Sequence, residues 1–167
     1  MPDVPDVPDV PDVPGITRIR RFELEKHTGP YESWPLASRL IVDGQTLPLA
    51  IPGYTLLFQF DTPSGYLFAT DFDCPFEEAA SFVLVSRDLR RILGARQIGA
   101  PYCSFWLDDI RWLDDTHFIA TFADDPYHWR FTIRARGVTW RWLRWLCPRL
   151  TMARFRSEAD GRSQDGT

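Results

Sequence analysis

The chain has 167 residues, 44% of them hydrophobic and 14% aromatic, which is enough to form the core of one domain and excludes the disordered class. Its three cysteines contain no C-x-x-C pair, so neither a zinc ribbon nor a disulfide framework is indicated. The net charge of −4 is unevenly distributed: residues 1–133 carry 11 basic and 20 acidic side chains, and residues 134–167 carry eight and three. We expect an acidic body with a basic end.

The chain begins with the repeat MPDVPDVPDVPDVPG. Proline at every third position matches the three-residue turn of polyproline II and excludes a helix, so residues 1–15 are predicted to be a disordered arm. The arm lacks the basic and apolar regions of a secretory signal. No apolar run approaches the roughly 20 residues of a membrane-spanning helix. These observations predict a cytoplasmic protein.

From residue 16 to about residue 136 the apolar residues follow period two, and turn signals interrupt them every eight to twelve residues. This pattern predicts a mainly β domain over residues 16–150. Its expected form is an antiparallel meander of about eight or nine strands with a short C-terminal helix. A sandwich, a curled sheet and a small barrel are all compatible with such a meander.

The first hairpin is predicted at Asp43-Gly44, because this dipeptide tolerates the two positive φ angles of a type I′ turn. Pairing around the turn sets Leu40 opposite Leu47. Pro48 has no N–H to donate to a ladder, so its strand is expected at a sheet edge.

The second hairpin is predicted over residues 55–70, around the turn TPSG. Its pairing brings Phe58 and Phe60 to one face together with Leu67 and Ala69. These four side chains are therefore candidate core residues.

Three elements follow: a hairpin over residues 79–98 with its turn at SRDLR, a strand over 104–113, and a hairpin over 117–134 around the loop DDPY. One register of the last hairpin sorts apolar and polar side chains onto opposite faces, as a half-buried sheet requires. That register pairs Phe118 with Ile133, Ala120 with Phe131 and Phe122 with Trp129.

After Gly137 the pattern changes to helical spacing. In VTWRWLRWLCPRL a helical wheel gathers the apolar residues into one sector and leaves Arg141 and Arg144 outside it. This predicts a helix over about residues 138–147, ended by Pro148. Residues 151–167 are predicted to be a disordered tail.

The densest group of reactive side chains is TDFDCPFEE, which contains Asp71, Asp73, Glu77 and Glu78. Clustered carboxylates can ligate a hard divalent cation, which would make this connection the site of a metal-dependent enzyme. The spacing lacks the D-x-[DN]-x-[DN]-G pattern of a calcium loop. The sequence therefore favours a turn whose acids face water, and it predicts neither a metal site nor a cofactor.

Other catalytic arrangements have little support. Cys103 is a nucleophile only if His27, His117 or His128 reaches it, and the last two are expected at opposite ends of one hairpin. Adjacent aspartates on a strand point to opposite faces, so no Asp-Asp pair can form a glycosidase dyad by itself. The sequence indicates no catalytic residue, and we expect that the protein is not an enzyme. The three pairs are Asp108-Asp109, Asp114-Asp115 and Asp124-Asp125.

The basic end offers an alternative function. Tryptophan interleaved with arginine suits an anionic membrane surface, and it also suits single-stranded nucleic acid, whose bases stack on indole rings. The simpler interpretation is that the helix packs its tryptophans on the sheet. The acidic body repels phosphate, so nucleic acid is not the first choice. The residues concerned are Trp140, Arg141, Trp142, Arg144 and Trp145.

Three blocks, GYLFATDFDCPFEE, IGAPYCSFWLDDIRWLDDTHFIATF and DDPYHWRFTI, carry a resemblance over residues 54–134. Their paired hairpins, Asp-rich turns and aromatic cores resemble small, stand-alone, β-rich bacterial proteins of uncharacterised function. Some of those proteins resemble immunity proteins that neutralise a toxin. The resemblance implies a protective binding partner and assigns a role to no residue.

The composition points the same way, because aspartates displayed on the turns of a compact domain complement a basic protein surface. We therefore expect a non-catalytic binding protein with a basic protein partner. The oligomeric state is left open. The expected partner-binding residues are Asp71, Asp73, Glu77, Glu78, Asp124 and Asp125.

Overall fold

The computed structural model describes residues 13–72, 79–99, 106–123, 125–134 and 149–156. Within these ranges the chain forms 12 strands and one 3₁₀ turn, Tyr31–Ser33, and no α-helix. No helix in these ranges has the length and apolar character needed to cross a membrane. In chain order the strands are β1 (Thr17–Arg18), β2 (Phe22–Leu24), β3 (Ala37–Val42), β4 (Gln45–Pro52), β5 (Thr55–Thr62), β6 (Gly65–Asp71), β7 (Ala80–Val85), β8 (Ile92–Ile98), β9 (Leu107–Trp112), β10 (His117–Phe122), β11 (Tyr127–Ile133) and β12 (Leu150–Arg156).

The strands form three sheets in which all the pairings are antiparallel. The central sheet has the order β1-β5-β6-β7-β8, the amino-terminal sheet β2-β3-β4, and the carboxy-terminal sheet β12-β11-β10-β9. The predicted mainly β, antiparallel class is confirmed. The small barrel is wrong, because every sheet has two open ends in its strand order, and the strands outnumber the eight or nine expected.

The central strand β7 explains the layered arrangement. All six of its residues, ASFVLV, are buried, whereas a strand with one wet face would alternate. Phe82 and Leu84 belong to one hydrophobic cluster, and Val83 and Val85 belong to another. The central sheet is therefore covered on both faces, which makes the domain a three-layer β structure.

The larger cluster joins the central sheet to the carboxy-terminal sheet. The ring of Phe82 lies 4.3 Å from that of Phe131, and the ring of Phe60 lies 5.5 Å from that of Trp112, measured between centroids. All four side chains are buried. Full burial of a large apolar side chain stabilises the fold by about 1.5–3 kcal/mol, so this layer contributes much of the folding free energy.

The smaller cluster joins the opposite face of the central sheet to the amino-terminal sheet. Phe22 on β2 packs edge-on against Phe68 on β6, with ring centroids 5.0 Å apart. Leu40, Ile51 and Val83 belong to the same cluster, and all of these side chains are buried. The two clusters use alternate side chains of β6 and β7, as the two-residue period of a strand requires.

The hairpin at Asp43-Gly44 is confirmed. Their φ angles are 50° and 76°, which is the positive pair that the turn requires. Strand β4 lies at the edge of its sheet, as Pro48 predicted. The ladder is irregular at Leu40, so the expected pairing with Leu47 is not part of the regular register. Proline cannot donate to a ladder, and such a break accommodates it.

The hairpin around TPSG is confirmed, and its four predicted core side chains share one face. Phe58 lies opposite Ala69, and Phe60 lies opposite Leu67. The hydroxyl of Thr62 donates to the carbonyl of Gly65 at 2.7 Å and closes the turn. Local chemistry therefore determines this hairpin.

The hairpin of β10 and β11 has the predicted faces in a different register. Phe118 lies opposite Phe131, and Ala120 lies opposite Trp129, so the predicted pairing is wrong by two residues. This register centres the turn one residue earlier than predicted, and the backbone N–H of Tyr127 donates to the Asp125 carboxylate at 3.0 Å. A shift of two residues keeps every side chain on its face, which is why the predicted core survives.

Both ends of the domain differ from the prediction. Val13 packs against the larger cluster, so the body begins before residue 16. The predicted tail is wrong over residues 151–156, which belong to β12 and pair with β11. The predicted helix, residues 138–147, lies outside the described residues, between β11 and β12. The N–H of Arg134 donates to the carbonyl of Arg149 at 2.7 Å, at the ends of β11 and β12 from which this connection starts and to which it returns.

The close approach of β8 to β12 generates a stability prediction. A Cβ atom added at Gly94 would lie 2.8 Å from Cβ of Leu150 and 2.9 Å from its backbone nitrogen. We expect Gly94→Ala to destabilise the domain by about 1–3 kcal/mol, because this strain exceeds the gain of about 0.4–1 kcal/mol from a stiffer unfolded chain. Urea unfolding measures the difference. Ala95→Ser, at the exposed residue next to Gly94, is the control. An unchanged urea midpoint for Gly94→Ala would contradict the close packing of Gly94 against Leu150.

Candidate functional site

The predicted partner-binding acids are only partly described. Asp71 ends β6 in the central sheet, and its carbonyl accepts a hydrogen bond from the N–H of Tyr54 at 2.7 Å. Asp125 lies in the turn between β10 and β11, in the carboxy-terminal sheet. The two residues therefore belong to different sheets. The other four, Asp73, Glu77, Glu78 and Asp124, lie outside the described residues.

Asp125 is used by its own turn. One carboxylate oxygen accepts the hydrogen bond from Tyr127, and the other, Oδ2, is buried and has no hydrogen-bond partner among the described residues. A turn cap of this kind is the usual role of aspartate in a tight connection. Asp125 thus shapes the β10–β11 turn.

The Trp/Arg segment, with Trp140, Arg141, Trp142, Arg144 and Trp145, also lies outside the described residues. Its place in the chain order is nevertheless clear, because it connects β11 to β12. The segment is internal to a hairpin whose base is closed between Arg134 and Arg149.

His27 makes a contact that resembles a catalytic pair. Its Nε2 atom lies 2.8 Å from the hydroxyl oxygen of Ser38, and that hydroxyl donates to the carbonyl of Gly53 at 2.7 Å. Since the hydroxyl has a single proton, Nε2 must donate to it. A nucleophilic serine requires the reverse, a histidine that accepts its proton. Ser38 is also fully buried, so the pair has a structural role.

Asp114 and His117 form a second pair, in the turn between β9 and β10. The Asp114 carboxylate accepts hydrogen bonds from the hydroxyl of Thr116 at 2.7 Å and from the N–H groups of Thr116 and His117 at 2.8 Å. These bonds, led by that of the Thr116 hydroxyl, hold the pKa of Asp114 well below its usual range. Nδ1 of His117 lies 2.9 Å from the same carboxylate. The carboxylate caps the turn.

The remaining histidine, His128, lies at the other end of the hairpin. His117 pairs with Thr132, whereas His128 pairs with Phe155 on β12. The prediction that these histidines lie at opposite ends is confirmed. Cys103 lies outside the described residues.

No group of three or more His, Cys, Asp or Glu side chains forms a possible metal site within the described ranges. The described acidic residues among the predicted sites, Asp71 and Asp125, are separated in the fold, and Asp114 and Asp125 are engaged in turns.

An aromatic cluster centred on Tyr54 was not predicted. The Tyr54 ring makes edge contacts with Trp34, His27, Tyr31 and Phe72, with ring centroids 5.2–5.7 Å apart. Such contacts stabilise by about 0.5–1.5 kcal/mol per pair beyond the area they bury. The cluster anchors the β4–β5 connection and the segment before β3, which are distant in sequence. Single aromatic residues in predicted loops gave no signal of this packing.

Strand β9 has an irregularity with consequences for the surface. Phe122 lies opposite Leu107 and Thr121 lies opposite Asp109, so Asp108 is an extra residue, a β-bulge. Regular alternation would place Asp108 on the buried face with Ile110. Burying a carboxylate without a partner is costly, and the bulge avoids it.

The bulge exchanges the faces on which the two preceding residues, Trp106 and Leu107, lie. Trp112 and Trp106 would share a face in a regular strand, yet Trp112 is 2% exposed and Trp106 is 61% exposed. Leu107 instead packs against the larger cluster. An indole that regular alternation would bury is thereby displayed to solvent.

The surface along β9 combines apolar and acidic side chains. We call this surface the acidic edge; it consists of Trp106, Asp108, Asp109, Leu113 and Asp115. All five are exposed, Leu113 by 44%. An exposed tryptophan rimmed by polar residues is a typical marker of a binding surface.

The three carboxylates of the acidic edge have no ion pair with any basic side chain that the structure describes, although Arg111 is also exposed on β9. Three other carboxylates that the structure describes are paired with arginine. The pairs are Asp43 with Arg21, Glu25 with Arg39 and Asp61 with Arg87.

Comparison of the chain with protein-family models, with curated proteins and with solved structures gives no match. The candidate site therefore rests on its geometry.

The cap at Asp114 generates a pH prediction. Because the pKa of Asp114 is lower in the folded protein, its contribution to stability is full above the unfolded pKa, about 3.9, and is lost as the pH falls through the folded pKa. We expect Asp114→Ala to cost about 1 kcal/mol at pH 7, with no larger figure because the side chain is half exposed. The difference from wild type should shrink as the pH falls from 5 towards 2.

Thermal unfolding across this pH range tests the prediction, with a loss in Tm of about 2–4 °C expected at pH 7. Asp115→Ala, the adjacent exposed acid of the same turn, is the control. A pH-independent difference, or an equal loss in the control, would show that Asp114 does not stabilise the turn as a carboxylate.

Proposed function

We propose that this protein is a non-catalytic binding protein whose acidic edge receives a basic protein partner. The observation that carries the proposal is the bulge at Asp108, which displays Trp106 beside unpaired carboxylates. The protective, immunity-like role implied by the resemblance is part of the same proposal. A binding protein of that kind needs a complementary surface and no reactive centre.

Trp106 supports the proposal through the free energy that its burial would release. Tryptophan is enriched among the interface residues that dominate binding, where truncation costs about 2 kcal/mol or more. Its indole supplies a large apolar surface with little conformational entropy to lose. Leu113 lies at the other end of β9 and extends the apolar contact. A partner covering both would remove water from the strand between them.

The carboxylates support the basic character of the partner. Asp108, Asp109 and Asp115 are exposed and make no ion pair with the described basic side chains, so pairing them with a partner breaks no described ion pair. Complementary charge increases the association rate and disfavours wrong partners more than it adds affinity. The interaction should therefore weaken as salt is added.

Two alternatives from the sequence also remain proposals. One is binding to an anionic membrane surface or to nucleic acid through Trp140, Arg141, Trp142, Arg144 and Trp145. The other is a divalent-metal-dependent enzyme using Asp71, Asp73, Glu77 and Glu78. Among the described residues, the acidic edge combines an exposed tryptophan with carboxylates that make no described ion pair, so we prefer the first proposal.

Affinity capture with matched variants tests the function. The full chain should retain one stoichiometric basic protein from its source cell and release it with salt. Trp106→Ala should weaken binding about 30-fold, the equivalent of a loss of about 2 kcal/mol. Asp109→Lys should slow association and reduce the salt dependence.

Each variant has a control of the same chemistry on another surface. Leu36→Ala removes a 79% exposed apolar side chain, and Glu23→Lys makes the same charge change on an exposed position of β2. Both should bind as the wild type does. Equal effects of Trp106→Ala and Leu36→Ala, or capture of no basic protein, would contradict the proposal.

A further inference from the structure

We propose that the partner binds by strand addition: an extended basic segment pairs with the free side of β9 and becomes the fifth strand of the carboxy-terminal sheet. This inference rests on the proposed function and specifies how its surface is used. It identifies the ligand as a short strand in which basic and apolar residues alternate.

Strand β9 lies at an edge of its sheet. Strand β9 is the last strand in the order β12-β11-β10-β9, and within the described residues it pairs only with β10. The outermost strand of a sheet presents a row of unpaired backbone N–H and C=O groups on its open side. An extended peptide satisfies those groups by main-chain hydrogen bonds, which is the mode of strand addition used in peptide recognition.

Comparison with the other edges selects β9. Strands β1 and β2 have two and three residues, too few to form a useful ladder. Strand β4 contains Pro48 and Pro52, which cannot donate to a neighbour. Strands β8 and β12 approach each other at Gly94 and Leu150, so each hinders access to the other. Strand β9 has six residues, LDDIRW, and contains no proline.

The side chains of β9 determine the character of the added strand. Asp109 and Arg111 lie opposite Thr121 and Ile119, on the face away from the larger cluster, whereas Ile110 faces the cluster. A basic residue of the added strand beside Asp109 would form a cross-strand pair worth about 0.2–1 kcal/mol, whereas one beside Arg111 would be repelled. The three carboxylates of the acidic edge outnumber this single arginine, so the edge still favours a basic strand. An apolar residue on the inner face would extend the core layer. This alternation defines the ligand.

The bulge at Asp108 limits the length of the pairing. A bulge leaves its extra residue unpaired and increases the local twist, so a regular ladder on the free side can extend only from Asp109 towards Leu113. Such a short ladder is weak by itself. The indole of Trp106, on the other side of the bulge, supplies an apolar anchor beyond its end.

Synthetic octapeptides test strand addition to the full chain. The probe alternates Lys and Val, a second peptide alternates Glu and Val, and a third is the Lys-Val peptide N-methylated at every second residue. N-methylation removes backbone donors and preserves charge and apolar side chains. Binding is followed by titration, and the position of binding by amide hydrogen exchange of residues 107–113.

We expect the Lys-Val peptide to bind and to slow exchange of the β9 amides at least tenfold. The Glu-Val peptide should not bind, and N-methylation should weaken binding at least tenfold. Asp109→Lys should weaken binding of the Lys-Val peptide, whereas Glu23→Lys should leave it unchanged. In samples without peptide, protection of the β9 amides that increases with protein concentration would show that a second copy of the chain occupies the edge. That result would overturn the proposal.

The outcomes separate this inference from the proposed function. Equal binding of the N-methylated peptide, lost in Asp109→Lys, would leave the acidic edge as a binding surface and overturn strand addition. Strand addition would also be overturned, with the acidic edge left as a binding surface, if the Lys-Val peptide does not bind while Trp106→Ala still prevents capture of the partner. If capture is also unaffected by Trp106→Ala and Asp109→Lys, both proposals are wrong.

Discussion

Burial of β7 on both of its faces is the constraint on which the rest of the domain depends. Its six side chains are all removed from water, so the central sheet needs a cover on each side. The chain supplies one cover before the central hairpins, as β2–β4, and the other after them, as β9–β12. Each cover is a single sheet that packs one face on the central sheet, and each has outer strands that pair with one described strand only. The surfaces available for function follow from this division into layers.

The same demand for a dry core produces the acidic edge. The inner face of the carboxy-terminal sheet is filled by large side chains such as Phe118, Phe131 and Trp112. Regular alternation along β9 would point Asp108 to the same inner face as Trp112, where its carboxylate would lack a partner. Inserting it as a bulge moves it to the surface and turns Trp106 outwards with it. The displayed indole is thus a consequence of excluding a charge from the core.

The acidic residues of this chain perform two distinct tasks. Asp114 and Asp125 accept backbone hydrogen bonds and shape the turns on either side of β10. Asp108 and Asp109 make no such bond among the described contacts and stay exposed. A count of acidic residues cannot separate the two tasks, because both occur in Asp-rich segments near turns. Hydrogen bonding distinguishes them, and only the second kind is available to a partner.

The sequence by itself determined the antiparallel β class, the hairpins at Asp43-Gly44 and around TPSG, and most of the core faces, because these depend on turn chemistry and on period two within neighbouring residues. It could not determine the β10–β11 register, since a shift of two residues preserves the same faces. Nor could it reveal β12, whose strand period follows the helical pattern of the Trp/Arg segment. The three layers, the Tyr54 cluster and the bulge at Asp108 were decided by tertiary structure alone. Each arises where segments distant in sequence compete for one buried volume, and a carboxylate that alternation would place there is excluded by its hydration.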